Sequence, residues 1–274
     1  MQINLLCVGD VVGKPGRLVL SELLPQLVRD EQIDCVIANA ENAAQGSGLT
    51  PALYEKFLEH GVDMMTMGDH IYKRRELVGV LEQSDRIVRP VNLPNAAVGK
   101  ELAIFQTRRG PRVAVLSALG QLYMRPAADS PFRAVDRVLE RVPRDVHIVV
   151  LDFHAEATSE KVAMGWHLDG RVSLVVGTHT HVPTSDETVL PRGTGYITDL
   201  GMTGPYESVL GRRKDRVLQH LLTGMPTRFE VADGDARLSG VLAHIDSETG
   251  KTLKIRRIML RASQEGEQAH ASDS

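Results

Sequence analysis

Residues 3–10 read Ile3-Asn-Leu-Leu-Cys-Val-Gly-Asp10, an almost continuously apolar run that ends at a glycine and an aspartate. Such a run is typical of a strand buried on both faces. The same texture returns at Cys35–Ala38 and Met64–Met67, with helical apolar spacing at about Arg17–Glu31 and Pro51–His60 between them. Buried strands that alternate with helices predict a largely parallel sheet covered on both sides, which is an α/β fold.

The pattern continues along the chain and then changes. We predict further strands at Arg112–Leu116, Val146–Phe153 and Val172–Val176, with a helix at Phe132–Arg141. After about residue 225 we predict three β-strands, separated by turn signals, at Arg228–Ala232, Ala236–Ile245 and Leu253–Leu260. Pro25 should kink or interrupt the first helix. Without an internal repeat or linker, the chain is predicted to form one domain over residues 1–263, followed by a polar tail over residues 264–274.

Composition limits the classes of partner. The 274-residue chain has a net charge of -3, so no basic surface suggests a nucleic-acid duplex as the main partner. A small nucleotide or a short RNA end remains compatible with this charge. Cys7 and Cys35 both lie in apolar runs and form no disulfide framework, as in a reducing compartment. With no signal-peptide pattern and no apolar run of bilayer length, we expect a cytoplasmic protein without a membrane partner.

Five short segments with metal-binding side chains each follow an apolar run. They are Val8–Asp10, Asn39–Asn42, Met67–His70, Asp152–His154 and Gly177–His181. The carboxyl ends of parallel strands meet at one edge of a sheet, so these segments should converge there. Taken singly each signal is weak, because Asp10 could cap a helix and His154 could be a core histidine. His179 and His181 are two apart, and in an extended chain both rings would point the same way.

The combined residue set predicts a particular kind of metal site. Imidazoles with carboxylates and no thiolate suit manganese, iron or zinc better than calcium or magnesium. Six or seven ligands are too many for one catalytic ion, so we expect two ions that share a carboxylate. Such a pair activates water at neutral pH and holds a phosphate oxygen, which is the chemistry of hydrolytic attack on phosphorus.

Other catalytic motifs are disfavoured. Gly9-Asp-Val-Val-Gly-Lys-Pro15 superficially resembles a phosphate-binding loop, but its glycine spacing is one residue short of that pattern. Pro15 also occupies the position where the magnesium-binding hydroxyl residue should be. Ser117 and Ser159 lack a nucleophile elbow, so serine hydrolysis is not expected.

Longer blocks around these segments resemble the YmdB-like branch of the calcineurin-like metallophosphoesterases. The blocks are Gly9–Arg17, Glu41–Thr50, Asp152–Lys161, Gly177–Val182 and Tyr196–Pro205, within weaker similarity that runs from Met1 to about Leu260. The resemblance implies a four-layer α/β/β/α sandwich. It also implies phosphodiesterase activity toward 2′,3′-cyclic nucleotides, with two iron or manganese ions.

The resemblance also implies individual roles. The first ion would be held by Asp10, Glu41, Asn42 and His181. The second would be held by Glu41, Asp69, His154 and His179, with Glu41 as the bridge. His70 would be the general acid that protonates the departing alkoxide. Dimers or tetramers are compatible with the resemblance.

Two departures from broader patterns leave alternatives open. Val12 replaces the histidine of the usual first motif and Glu41 replaces a bridging aspartate, both of which are typical of this branch. Asp69 stands where the family commonly has asparagine, which should tighten metal binding and weaken attraction for phosphate. The alternatives are a phosphomonoesterase or protein phosphatase, a regulatory RNA-binding protein with a slow metal site, and a purely structural metal site. Gly46–Thr50 and Tyr123–Asp129 are candidate loops at the rim of the site.

Overall fold

The strands and helices below come from a computed structural model that describes residues 1–262. The polar tail predicted for residues 264–274 lies outside the described residues. The strands are, in chain order, β1 Gln2–Val8, β2 Asp10–Val11, β3 Cys35–Asn39, β4 Met64–Thr66, β5 Ile87–Val88, β6 Leu102–Gln106, β7 Arg112–Leu119, β8 Ile148–His154, β9 Leu174–Thr178, β10 Thr188–Val189, β11 Gly195–Ile197, β12 Met202–Pro205, β13 Ala236–Asp246 and β14 Thr252–Arg261. The helices are α1 Gly13–Asp30, α2 Pro51–Glu59, α3 Val78–Gln83, α4 Pro131–Leu139, α5 Thr158–Leu168 and α6 Lys214–Thr223, with a 3-10 turn at Arg75–Leu77.

The strands form two sheets, and each has a parallel centre. The first sheet runs β2-β12-β13-β1-β3-β4-β5, with β14 added beside β13. Its strands β1, β3, β4 and β5 are parallel, whereas β13 is antiparallel to both β1 and β14. The second sheet runs β10-β11-β9-β8-β7-β6, in which β7, β8, β9 and β11 are parallel. The predicted parallel arrangement is therefore confirmed for the centres of the sheets and not for their edges.

Three apolar clusters separate four layers. Alternating side chains of β1 show the principle, because Leu5 and Cys7 face the second sheet while Leu6 and Val8 face helices α1 and α2. The middle cluster fills the space between the two sheets. A third cluster lies under α4 and α5 on the outer face of the second sheet. Strands with both faces covered need apolar residues at every position, which explains the continuous apolar runs. The four-layer α/β/β/α sandwich is confirmed.

One predicted strand is wrong. Arg228–Ala232 does not form a regular strand, and only Val231 makes an isolated bridge, to Arg212. Most of this segment is exposed or half-buried and runs along the surface without a partner strand, so its alternating pattern has no sheet to join. The two later strands are confirmed as β13 and β14.

The helices follow the sequence signals with one difference. The Thr50 side chain accepts a hydrogen bond from the Leu53 N–H and caps α2, as its position before Pro51 predicts. Of the kink or interruption expected at Pro25, the interruption is wrong, because α1 continues through Pro25 to Asp30. Pro25 is exposed, so the carbonyl that loses its helical donor can bond water. Within residues 1–262 no helix has the length and apolar character needed to span a bilayer.

Candidate metal centre

The five predicted segments lie at the carboxyl ends of strands in both sheets. Asp10 follows β1, Glu41 follows β3 and Asp69 follows β4, all in the first sheet. His154 is the last residue of β8 in the second sheet, and His179 comes directly after β9. Because the sheets pack face to face, these strand ends bring the side chains together, and the predicted convergence takes place between two sheets rather than along one edge.

Three overlapping groups of these side chains have ligand atoms within 4.8 Å of one another. The groups are Asp69 with His154 and His179, Asp10 with Glu41 and His154, and Glu41 with Asp69 and His70. Glu41, Asp69 and His154 each belong to two groups, so the three groups form one continuous cluster. His181 lies beside it, with its Nε2 3.9 Å from Asp10 Oδ1 and 3.2 Å from Asn42 Nδ2.

Asp10 gives the clearest sign that the cluster fits a cation. The side chain is fully buried, and its Oδ1 has no hydrogen-bond donor, while Oδ2 accepts the His179 N–H at 3.1 Å. Burial raises the pKa of Asp10 to about 7; the charge of Glu41 adds to this rise, and His154 opposes it. A buried carboxylate oxygen without a partner is costly unless a cation or donor compensates it. The donor set therefore fits divalent metal ions.

Glu41 and Asp69 are surrounded by imidazoles. Glu41 Oε1 lies 3.2 Å from His154 Nε2, and Asp69 Oδ1 lies 3.0 Å from the same nitrogen. Burial alone would raise the pKa of both carboxyl groups, but the neighbouring imidazoles, above all His154, hold each pKa well below its ordinary value. Both groups are therefore anionic, as metal ligands must be.

A buried relay sets the orientation of His154. The Thr178 hydroxyl donates to Asp152 Oδ1 at 2.6 Å, so its oxygen can accept from His154 Nδ1, which lies 2.8 Å away. This arrangement places a ring proton on Nδ1. Burial would lower the pKa of His154, but Glu41 and Asp69 raise it well above its ordinary value, so in the absence of an ion Nε2 also carries a proton and donates toward their oxygens; a metal ion would take the place of that second proton. Asp152 also accepts from Asn39 and Thr66, so it is itself held firmly. Partners of this kind fix the tautomer of metal-binding histidines.

The expected geometry of the two neighbouring histidines is wrong. His179 and His181 have positive φ angles of 96° and 64°, so the chain between them is a turn and not an extended strand. The His179 Nδ1 lies 3.0 Å from His154 Nε2, whereas His181 points toward Asp10 and Asn42. Both residues reach the cluster, but they approach it from different sides. Non-glycine residues adopt this conformation only when the surrounding structure holds them there.

A buried ion pair holds that turn. Lys161 Nζ lies 2.6 Å from Asp199 Oδ2, and both side chains are 1% exposed. The same carboxylate oxygen accepts from the Thr180 hydroxyl at 2.7 Å and from the Thr180 N–H at 3.3 Å. Because Thr180 lies between the two histidines, the ion pair positions both of them. Sequence reasoning missed this pair, although Lys161 and Asp199 lie within the blocks that carry the family resemblance.

The environments of His181 and His70 suit different tasks. The His181 Nδ1–H donates to the Leu210 carbonyl at 3.0 Å, so Nε2 carries the lone pair that faces the cluster. Burial lowers the pKa of His181, which favours the neutral form that a metal ligand needs. Burial would likewise lower the pKa of His70, but its hydrogen bond to Glu41 and the charge of Asp69 raise it. Its Nδ1 lies 2.9 Å from Asn42 Oδ1. His70 is thus the more readily protonated of the two.

Comparisons with known proteins agree with this architecture. A sequence model of the family described as "YmdB-like protein" matches residues 6–258. A Bacillus subtilis protein named 2′,3′-cyclic-nucleotide 2′-phosphodiesterase is 42% identical over 258 residues, which cover 94% of this chain and 97% of the relative. A solved structure of a novel phosphatase from Mycoplasma pneumoniae has a TM-score of 0.89 at 34% identity, covering 98% of this chain and 97% of the other.

A hypothetical protein from Thermus thermophilus, also of known structure, has a TM-score of 0.88 at 41% identity and covers 95% of this chain and 100% of its own. The family match extends through every segment that contributes to the cluster. Together with the four-layer fold, it shows that the chain belongs to the YmdB-like family and is a phosphoester hydrolase of the metallophosphoesterase type.

Proposed function

We propose that this protein is a dinuclear-metal phosphodiesterase that hydrolyses 2′,3′-cyclic nucleotides or related small phosphodiesters. The observation that carries the proposal is the continuous cluster in which Glu41, Asp69 and His154 each belong to two groups of ligand atoms. The name of the Bacillus subtilis relative suggests the substrate class. Two transition-metal ions, if held by these residues, would supply an activated water and positive charge beside the phosphate. Iron or manganese is expected, and zinc is compatible with the same ligands.

The proposed ligand sets divide the cluster in two. Asp10, Glu41, Asn42 and His181 would hold the first ion, and Glu41, Asp69, His154 and His179 would hold the second. The central position of Glu41 between Asp10 and Asp69 supports its role as the bridge. Nδ1 of His154 is engaged by Thr178 and Nδ1 of His181 by the Leu210 carbonyl, so Nε2 is the atom that each ring would offer to an ion.

His70 is proposed to donate the proton that the departing ribose oxygen needs. Its Nδ1 lies 2.9 Å from Asn42 Oδ1, its Nε2 lies 3.6 Å from Asp69 Oδ2, and its side chain is 28% exposed, so the ring lies at the border between the cluster and solvent. The raised pKa of His70 favours the imidazolium form. In a 2′,3′-cyclic substrate the proton would go to O2′ as the P–O2′ bond breaks, which leaves a 3′-phosphate.

A leaving-group comparison tests this role. In His70→Ala, the rate on adenosine 2′,3′-cyclic phosphate should fall by about 10²–10⁴-fold, because the ribose alkoxide needs a proton. Hydrolysis of bis-p-nitrophenyl phosphate should fall much less, since nitrophenolate leaves without one. Metal content measured on the same samples is the control. Equal losses on both substrates with full metal content would show that His70 is not the general acid.

A second comparison, of a monoester with a diester on the wild-type protein, separates phosphodiesterase from phosphomonoesterase activity. p-Nitrophenyl phosphate has the same leaving group as the aryl diester, and the wild-type protein should hydrolyse the diester with the higher kcat/KM. The reverse preference would favour the phosphomonoesterase alternative.

We further infer that residues 1–262 form one domain, because both sheets contribute to one middle core and to one cluster.

A homo-oligomer, dimeric or tetrameric, is also proposed. Its support is the exposed apolar surface of α6, on which Leu221 is 72% and Leu222 82% exposed. Light scattering after gel filtration tests this, and a monomeric mass at micromolar concentration would refute it. The cytoplasmic location stays a prediction.

A further inference from the structure

Three arginines hold the loop that leaves the metal centre. This loop, residues 43–48, begins directly after Asn42 and includes glycines with positive φ at Gly46 and Gly48. Each guanidinium donates to backbone carbonyls of the loop. The bonds run from Arg17 Nη1 to Ala43 O, from Arg74 Nη2 to Ala44 O at 3.3 Å, from Arg212 Nη1 to Gln45 O at 3.2 Å, and from Arg212 Nη2 to Gly46 O at 2.5 Å.

The glycines allow this close approach. A Cβ at Gly46 would lie 2.5 Å from Arg212 Nη1, and a Cβ at Gly48 would lie 2.7 Å from Arg74 Cγ. Any side chain at these positions would displace the arginines from the loop. The loop and the arginines therefore pack as one structural unit, which we call the arginine loop: residues 43–48 with Arg17, Arg74 and Arg212.

The charges of these arginines are not compensated. Among residues 1–262, no carboxylate forms an ion pair with Arg17, Arg74 or Arg212, although most other ion pairs in this range use arginine. The adjacent Arg213 shows the contrast, since it pairs with both Asp215 and Glu230. The Nε of Arg74 is also buried without a hydrogen-bond partner. Neutral carbonyls position a guanidinium but leave its positive charge available for an anion.

The arginine loop is connected to the metal centre at three points. Arg74 follows His70 by four residues in the chain. Arg212 follows Leu210 by two residues, and the Leu210 carbonyl accepts from His181. Arg17 lies in α1, whose first residue donates its N–H to the Asn42 carbonyl. Two divalent ions and these three guanidiniums together would carry more positive charge than Asp10, Glu41 and Asp69 can offset, which favours binding of a further anionic group.

We propose that the arginine loop binds a second phosphate on the 5′ side of the substrate. This inference rests on the proposed function and narrows its substrate class. In a 2′,3′-cyclic nucleotide the 2′ and 3′ oxygens are already esterified, so a further phosphate ester of the ribose must be at O5′. Arginines that offer several N–H donors match the paired oxygens of such a phosphate. The phosphate has two sources: a terminal 5′-phosphate on a mononucleotide, or the phosphodiester that links the next nucleotide of a single strand.

The test compares three substrates on the metal-loaded protein. They are adenosine 2′,3′-cyclic phosphate, the same compound with a 5′-phosphate, and the dinucleotide ApA with a 3′-terminal cyclic phosphate. The wild-type protein should show a kcat/KM at least about tenfold higher for the 5′-substituted substrates, as one or two charge-assisted hydrogen bonds would give. Preference for the dinucleotide would identify the linking phosphodiester as the source, and preference for the 5′-phosphate alone would identify the terminal phosphate.

The matched variants are Arg212→Gln and Arg213→Gln, which remove adjacent guanidiniums with different partners. The readout is the ratio of kcat/KM for each 5′-substituted substrate to that for the unsubstituted one, because general losses of folding or catalysis cancel in the ratio. Arg212→Gln should lower the preferred ratio at least about fivefold, and Arg213→Gln should retain it. Arg74→Gln is the second variant if Arg212→Gln does not fold.

The outcomes separate this inference from the proposed function. A wild-type ratio near one, or a ratio that survives both Arg212→Gln and Arg74→Gln, overturns the arginine-loop inference and leaves the phosphodiesterase assignment in place. If the protein hydrolyses none of the three substrates, both the arginine-loop inference and the proposed phosphodiesterase function are overturned.

Discussion

Replacing Thr178 with valine should loosen the metal centre while nearly preserving the volume of the side chain. The hydroxyl donates to Asp152 Oδ1 at 2.6 Å and accepts from His154 Nδ1 at 2.8 Å. The hydrogen bond to a charged carboxylate contributes about 1.5–3 kcal/mol, and an unpaired buried N–H on His154 costs about 1–3 kcal/mol. Asp152 still accepts hydrogen bonds from Asn39 and Thr66, so its carboxylate is not left without donors. We expect the metal-free protein to lose roughly 3 kcal/mol of unfolding free energy.

The larger effect should be on metal affinity. Without the hydroxyl, His154 can adopt the wrong tautomer and its ring orientation is free, which typically lowers affinity by about 10–100-fold. Titration of metal-free Thr178→Val with Mn²⁺ by calorimetry, alongside urea unfolding, measures both effects. Thr178→Ser keeps the hydroxyl and is the matched control. Wild-type metal affinity in Thr178→Val, or an equal loss in Thr178→Ser, would refute the proposed relay.

Three further substitutions test neighbouring parts of the centre. Lys161→Met leaves the Asp199 carboxylate buried without its cation and should cost about 3–5 kcal/mol in urea unfolding; a loss below about 1 kcal/mol would contradict the role of the ion pair. Gly68→Ala places a Cβ 2.3 Å from Glu41 Oε2, so kcat/KM should fall about 100-fold by displacement of a ligand, and a wild-type rate would contradict this. Asp69→Asn removes a charge from the centre and should weaken Mn²⁺ binding about tenfold by calorimetry; equal or tighter binding would show that the carboxylate charge does not hold the ion.

Sequence pattern was most informative where strands are buried on both faces. Ile3–Val8 and Cys35–Ala38 could be predicted because every residue in them except Asn4 packs against either a helix layer or the other sheet. The short edge strand Leu102–Gln106 was not predicted, and only one of its residues is buried. Helix α6 was also missed. No residue of α6 is buried, so the packing that usually stabilises a helix and marks its sequence is lacking within the described chain.

For the site, residue types were predictable and backbone geometry was not. The strand-end positions of Asp10, Glu41 and His154 follow from the apolar runs that precede them. The turn between His179 and His181 could not be read from spacing, because positive φ angles at these residues depend on contacts made far away in sequence. Thr180 is held by Asp199 from a different strand connection, and such tertiary contacts leave no local pattern.

The most direct test of the central claim is the rate of adenosine 2′,3′-cyclic phosphate hydrolysis measured as a function of the number of ions bound per chain. Metal-free protein would be loaded stepwise with Mn²⁺, and the bound metal in each sample would be quantified by plasma mass spectrometry. A bridging Glu41 between two ion sites predicts that activity rises mainly as occupancy passes one ion per chain and reaches its maximum at two. Full activity at one ion per chain, or activity that does not depend on bound metal, would contradict the account.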